Sequence, residues 1–211
     1  MEVFSGIDDI RRLRWADPSA IWGFVPTMSF LHEGHLSLVR RARQENEQVG
    51  VSIFVNPTQF NDPKDLETYP IDLDRDLALL KKEGADLVWM PSQDVVYPPR
   101  LRDPCRGNGG DYGTGRRCPA RIFHGVATVV AKLFNAFQPQ RTYFGQKDAQ
   151  QAVVIKRMVK DLSFNIEVII CPTVREADGL AMSSRNANLT PAARRKATCL
   201  YHALCAAKDL F

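Results

Sequence analysis

His32 and His35 stand three residues apart in Pro26-Thr27-Met28-Ser29-Phe30-Leu31-His32-Glu33-Gly34-His35, a type and spacing suited to a phosphoryl group. An imidazole N–H can donate to a phosphoryl oxygen as negative charge builds on it. The apolar stretch Trp22-Gly23-Phe24-Val25-Pro26 before the pair reads as a short buried strand. Leu36-Ser37-Leu38-Val39-Arg40-Arg41-Ala42 after it reads as an amphipathic helix. A strand-to-helix turn presents unpaired backbone N–H groups and the positive end of a helix dipole, and both favour an anion. Gly34 lets the backbone approach such a ligand closely, and Thr27-Met28 lead into the turn.

Three more segments carry usable chemistry. Asn56 and Gln59, in Asn56-Pro57-Thr58-Gln59-Phe60, are neutral amides that grip hydroxyls or a carboxylate without adding charge, or serve only as turn residues. Gly145-Gln146-Lys147-Asp148-Ala149-Gln150-Gln151 opens a helix, with Asp148 placed as its N-cap and Lys147 adding a cation beside the helix end. Met182-Ser183-Ser184-Arg185 offers two hydroxyls and a guanidinium. It either closes over terminal phosphates and stabilises a departing pyrophosphate, or is a surface loop capping the last helix. Tyr69-Pro70 and the acids Asp72, Asp74 and Asp76 start a helix, since carboxylates favour a first turn; the alternative for Asp76 is to hold magnesium.

Strands are predicted over Ile21–Pro26, Val49–Val55, Asp86–Met90, Thr142–Phe144 and Ile166–Cys171. Helices are predicted over Gly34–Asn46, Leu73–Gly84, Val126–Phe137, Ala149–Asp161 and Pro191–Lys208. Continuous apolar strands such as Val51-Ser52-Ile53-Phe54-Val55 are covered on both faces, as in a parallel sheet. Strand–helix alternation then predicts a doubly wound α/β fold of Rossmann type, with ligands at the carboxyl ends of the strands. All four chemistry-bearing segments follow predicted strands.

The 211 residues are 45% hydrophobic and 25% charged with a net charge of +4, an ordinary globular balance. No apolar run is long enough to cross a bilayer, and the first residues lack a charged-then-apolar leader, so no membrane partner is expected. Arg and Lys are scattered, so anionic small molecules explain the positive balance and no nucleic acid is expected. Five cysteines without close-pair spacing argue against zinc, a redox pair or a disulfide scaffold. A cytoplasmic, nucleotide-dependent transferase or ligase gripping ATP is the expectation. No Walker loop, Gly-x-Gly-x-x-Gly or catalytic triad competes with it.

At these residues the sequence resembles the pantoate–β-alanine ligase (pantothenate synthetase) family, within the adenylyl-transferring superfamily that shares the HIGH-type motif with class I aminoacyl-tRNA synthetases. Gly23–Ala42, Val51–Phe60, Gly125–Gln138, Tyr143–Gln151 and Pro172–Leu189 follow the family pattern in order. The resemblance implies that pantoate attacks the α-phosphate of ATP with magnesium assisting, and that β-alanine then attacks the pantoyl adenylate. It places His32 and His35 on the phosphates, and Met28, Gly34, Gly145 and Met182 at the nucleotide. Lys147, Ser183, Ser184 and Arg185 would attend the phosphates, Asp148 the ribose and Val174 the adenine. Gln59 and Gln151 would hold pantoate, with Asn56 and Tyr69 in the same pocket. A homodimer is implied by the family alone. The alternatives are another nucleotidyltransferase of the superfamily, or a remnant that binds ATP and pantoate without turnover.

Three departures from the family stand out. Ser29 occupies a glycine position after Met28. The resemblance divides the chain into an ATP- and pantoate-binding domain over 1–182 and, over 183–211, the start of a smaller lid domain that is incomplete at Phe211. Finally, Leu101–Ile122 is rich in Gly and Arg and has no periodicity, where the family has strand residues, a Leu-Glu-Gly-like turn and Arg-Pro-Gly-His-Phe. Back-translated and moved forward one nucleotide, Cys105-Arg106 permits only Val or Ala and Asn108-Gly109 only Thr or Met, so a family-like reading is open. Pro104–Ile122 is therefore expected to be a frameshifted stretch, with a divergent loop as the alternative. The displaced Arg121 and His124 are not given the roles of that motif.

Overall fold

Alternate residues of the central strands belong to two separate cores, and this division sets the architecture. Trp22 and Phe24 pack in one core, while Val25, Val49 and Val51 pack in the other. The computed structural model describes residues 1–60, 62–98, 119–208 and 210, with backbone alone for 119–122. The predicted lesion at Pro104–Ile122 thus lies outside the described residues, save for the helical backbone from Pro119.

In chain order the elements are β1 (Glu2–Phe4), α1 (Ile7–Ala16), β2 (Trp22–Thr27), α2 (Glu33–Glu45), β3 (Gln48–Ile53), α3 (Pro63–Glu67), α4 (Leu73–Lys82), β4 (Leu87–Trp89) and α5 (Gln93–Val96). Then follow α6 (Pro119–Phe137), β5 (Arg141–Gly145), α7 (Ala149–Asp161), β6 (Glu167–Cys171), α8 (Pro191–Lys196) and α9 (Cys199–Lys208). All strand pairs are parallel, in the order β1-β4-β3-β2-β5-β6. The doubly wound α/β expectation holds. After β2 the sheet grows through β3 and β4 on one side, then through β5 and β6 on the other. The carboxyl ends of β2 and β5 therefore flank the point where strand order reverses, the place where such sheets open a ligand crevice.

One core contains Ile10 of α1, Phe134 and Phe137 of α6, and Ile155 of α7 against Trp22 and Phe24. Phe24 and Phe137 stack with ring centroids 4.4 Å apart, and Phe24 has no exposed surface. Full burial of such a side chain is worth roughly 1.5–3 kcal/mol. The other core packs Leu38 and Val39 of α2 and Leu80 of α4 against Val25, Val51 and Val88.

The five predicted strands are present with ends shifted by one or two residues. β1 and α1 were not predicted: three residues carry no periodicity, and β1 exists by pairing with β4 at the sheet edge. The helix predicted over Pro191–Lys208 is two helices. Ala197 N–H closes back onto Arg194 O at 3.3 Å, and a new turn starts with His202 N–H donating to Thr198 O at 3.1 Å. The helix predicted from Val126 begins at Pro119. No helix among the described residues is long and apolar enough to cross a membrane.

Candidate active site

The turn after β2 is built around a buried carboxylate. Asp76, near the start of α4 and with no exposed surface, accepts from Ser29 Oγ (2.8 Å) and from the backbone N–H groups of Phe30 and Leu31 (2.7 Å each). The backbone needs that support. Ser29 has φ 155° and Phe30 φ 53°, in the region that favours glycine. Ser29 thus holds a backbone conformation suited to glycine while its hydroxyl bonds to Asp76. Asp72 caps α4 by accepting from Arg75 N–H at 3.2 Å, as the acidic first turn predicted.

For Asp76 this geometry supports the helix-start reading and gives the magnesium alternative no support. Both its oxygens serve the turn, and it has no exposed surface and does not line the cleft.

The turn delivers two histidines to the N-terminus of α2. His32 Nδ1 accepts the Gly34 N–H at 3.1 Å, and His35 Nδ1 accepts the His32 N–H at 3.3 Å. Each ring's acceptor nitrogen is thus spent on backbone, so its proton resides on Nε2, which is left as a donor. A Cβ at residue 34 would lie 2.9 Å from the His32 ring, so glycine is what allows the ring to fold back. Burial, with Lys147 and Arg75 nearby, lowers His32 to a pKa of about 4. Burial, with His32 and Lys147, lowers His35 to about 3. Both rings are neutral at physiological pH and act as uncharged donors.

After β3, Asn56 begins a 3-10 turn over Pro57–Gln59. Its side chain is 1% exposed; Oδ1 accepts from Thr58 Oγ1 and Tyr97 Oη (2.9 Å each), and Nδ2 donates to Gly125 O at 3.4 Å. Of the two readings open for Asn56, its geometry favours the turn residue: it positions the segment that presents Gln59. Gly125 is required opposite, because a Cβ there would sit 2.7 Å from Thr58 O.

After β5, a 3-10 turn over Gln146–Asp148 places Lys147 and Asp148 before α7, with Nζ 3.7 Å from Oδ2. Asp148 occupies the N-cap position but makes no side-chain cap bond, which corrects the capping expectation and leaves its carboxylate exposed. After β6, Met182 N–H returns to Val174 O at 3.0 Å, and a 3-10 turn over Ser184–Asn188 follows. Ser184 Oγ donates to Phe30 O at 3.1 Å, tying that turn to the histidine turn.

These segments enclose a cleft of about 650 Å³, a volume suited to a nucleotide-sized ligand. Met28, His32, His35, Gln59, Tyr69, Lys147, Asp148, Gln151, Ser183, Ser184 and Arg185 are all among its lining. Gly34, Gly145, Val174, Met182, Asn56 and Asp76 do not contribute to its lining. Phe60, Asp65 and Phe123 do, and were not foreseen. Asp65 contacts Arg185 across 120 residues of sequence, a pairing no local spacing encodes. A shallower hollow of about 480 Å³, lined by Lys156, Lys160, Phe164 and Ile166, holds none of these groups.

Comparison with known proteins identifies the family. A family model described as pantoate-β-alanine ligase matches residues 2–210. A pantothenate synthetase from Gluconobacter oxydans is 55% identical over all of this chain and 76% of its own length. One from Thermotoga neapolitana is 55% identical with the same coverage. Among solved structures, the pantothenate synthetase of Thermus thermophilus superposes with a TM-score of 0.88 at 48% identity, covering all of this chain and 75% of that one. The Francisella tularensis pantoate-β-alanine ligase, solved in complex with beta-gamma ATP and β-alanine, has a TM-score of 0.79 at 40% identity over 90% of this chain and 74% of that one. The chain spans about three quarters of these relatives, and it belongs to the pantoate-β-alanine ligase family.

Proposed function

We infer that this chain joins pantoate to β-alanine at the expense of ATP, through a pantoyl adenylate. The observation that carries this is the pair of histidines at the N-terminus of α2, each with Nδ1 held by backbone, sharing one cleft with Lys147 and Arg185. In the first step a pantoate carboxylate oxygen bonds to the α-phosphorus, the bond to the bridging oxygen breaks, and pyrophosphate leaves with the electron pair. His32 and His35 donate to the α-phosphoryl oxygens as charge grows there. Lys147, Ser183, Ser184 and Arg185 take the charge of the departing pyrophosphate, while Gln59 and Gln151 hold pantoate. In the second step the amine of β-alanine attacks the mixed anhydride, the carbon–oxygen bond to AMP breaks, and the nitrogen's proton passes to solvent. No covalent enzyme intermediate is needed; the site positions the reactants and stabilises charge.

The finer assignments belong to the same reading. Met28, Gly34, Gly145 and Met182 border the nucleotide, Asp148 meets the ribose, Val174 the adenine, and Tyr69 the pantoate pocket. Magnesium would enter on the triphosphate, held chiefly by phosphate oxygens and water and needing no all-protein cage. Residues 183–211 are read as the start of a lid unit. Arg194 pairs with Glu176 and Asp178 (2.6 Å each) and Arg175 lies over the Tyr201 ring at 4.6 Å, so α8 and α9 pack against the segment after β6. A homodimer in the cytoplasm completes the proposal.

Pantoate-dependent exchange between ATP and labelled pyrophosphate tests it; exchange driven only by a nucleoside monophosphate would overturn it. A second reading, binding without turnover, is favoured by the sequence over 104–122, which lacks Arg-Pro-Gly-His-Phe. Calorimetric ATP binding with no pantothenate formed at high protein concentration would select it.

A further inference from the structure

Arg185 reaches across the mouth of the cleft to Asp65 in α3. Its Nε donates to Oδ1 at 3.1 Å and its terminal nitrogen to Oδ2 at 2.8 Å, a two-pronged pair. The guanidinium also lies 5.5 Å from the ring centres of both Phe60 and Tyr69. A single short stretch of chain therefore holds this side chain from the opposite wall by two bonds and two aromatic faces. Side-chain exposures of 47% for Arg185 and 39% for Asp65 mean that the pair adds little to stability. What it does is fix direction. An arginine has several freely turning bonds, and one already oriented loses less entropy on meeting phosphate. Two of its five N–H groups are used by Asp65, which leaves three for a ligand.

We propose that Asp65 is a positioning residue for the polyphosphate: it orients Arg185 against Phe60 and Tyr69 so that the remaining N–H groups meet the anion already aligned. This rests on the ATP-cleft reading above. The sign of the effect makes the proposal sharp. A carboxylate in the wall of a polyanion site repels the ligand, so neutralising one that did nothing else would tighten binding. If Asp65 orients Arg185, neutralising it weakens binding.

The test is calorimetric titration of the whole chain with inorganic tripolyphosphate, beside an NMR signal from the Arg185 Nε–H. Asp65→Asn should weaken binding by roughly three- to tenfold, and Asp65→Glu, which keeps the charge and the fork, should recover most of it. Asp65→Asn combined with Arg185→Gln should bind no more weakly than Arg185→Gln alone. The Nε–H proton should exchange slowly with solvent in the unaltered chain and in Asp65→Glu, and rapidly in Asp65→Asn. Unchanged or tighter binding in Asp65→Asn, or losses that add in full in the double variant, would overturn the proposal. No tripolyphosphate binding by the unaltered chain would instead overturn the cleft reading and the phosphate role with it, while the Nε–H signal would still report whether Asp65 holds Arg185.

Discussion

The His32 and His35 rings lie tilted by 34° with centroids 4.0 Å apart, and each fixes the other's segment through a backbone bond to Nδ1. Two adjacent imidazolium ions could not share this arrangement: protonation would convert an acceptor that holds an N–H into a second donor.

Both rings should therefore stay neutral from pH 8 to pH 5, with no imidazole shift change in an NMR titration over that range. Their folded-state values of about 4 and about 3 lie below the ordinary 6.5. The unfolded chain then binds protons first, so stability is fully present above about pH 6.5 and is lost as pH falls toward 4 and 3. Thermal melts should show this acid loss, flattened in His35→Asn. That variant should also lose on the order of 10²–10³ in pyrophosphate-exchange rate by giving up one charge-stabilising donor.

Removing the Asp76 carboxylate should unfold the histidine turn before anything else. Asp76→Ala leaves the Ser29 hydroxyl and two N–H groups without their partner. The expected loss is roughly 3 kcal/mol or more in urea unfolding, with ATP binding abolished at temperatures where far-ultraviolet ellipticity is still native.

Ser29 gives a ranking test. Ser29→Ala loses the bond to Asp76 and keeps a side chain at φ 155°, while Ser29→Gly loses the bond but relaxes the backbone. Alanine should cost roughly 1–3 kcal/mol and glycine less, even though glycine is the more flexible residue in the unfolded chain. Equal urea midpoints would contradict the strained backbone.

Gly125→Ala should damage the acid pocket from a distance. The added carbon would stand 2.7 Å from Thr58 O and 2.6 Å from its Oγ1, pushing α6 away from the turn that carries Gln59. Misplacement on that scale can cost on the order of 10²-fold in turnover. The Michaelis constant for pantoate should rise more than that for ATP, and the reverse order would place Gln59 elsewhere.

Much of this was legible in the sequence because the fold announces itself locally. β2 and β3 are continuous apolar runs, α2 and α7 keep their helical period, and ligand-bearing segments must follow strands in such a sheet. Residues that work through long-range contacts were not legible. For Asn56 both a substrate amide and a turn residue were open, and the contacts that favour the turn, with Tyr97 and Gly125, lie 41 and 69 residues away. Asp76 looked like one of three helix-starting acids, and nothing in its spacing reveals that it alone is buried beneath Ser29. Asp65 lies in a short helix capped by Asp62, and its hold on Arg185, 120 residues on, exists only in the folded chain.

The strand order carries a consequence for how the molecule assembles. β2, β3 and β4 are laid down between Trp22 and Trp89, whereas the other edge of β2 waits for β5 at Arg141. Closing that long excursion costs chain entropy before any contact repays it. The wall bearing the histidines can thus be framed while the wall bearing Lys147 is still unmade. A polyanion that needs both walls would bind only the finished sheet, and by mass action would stabilise it.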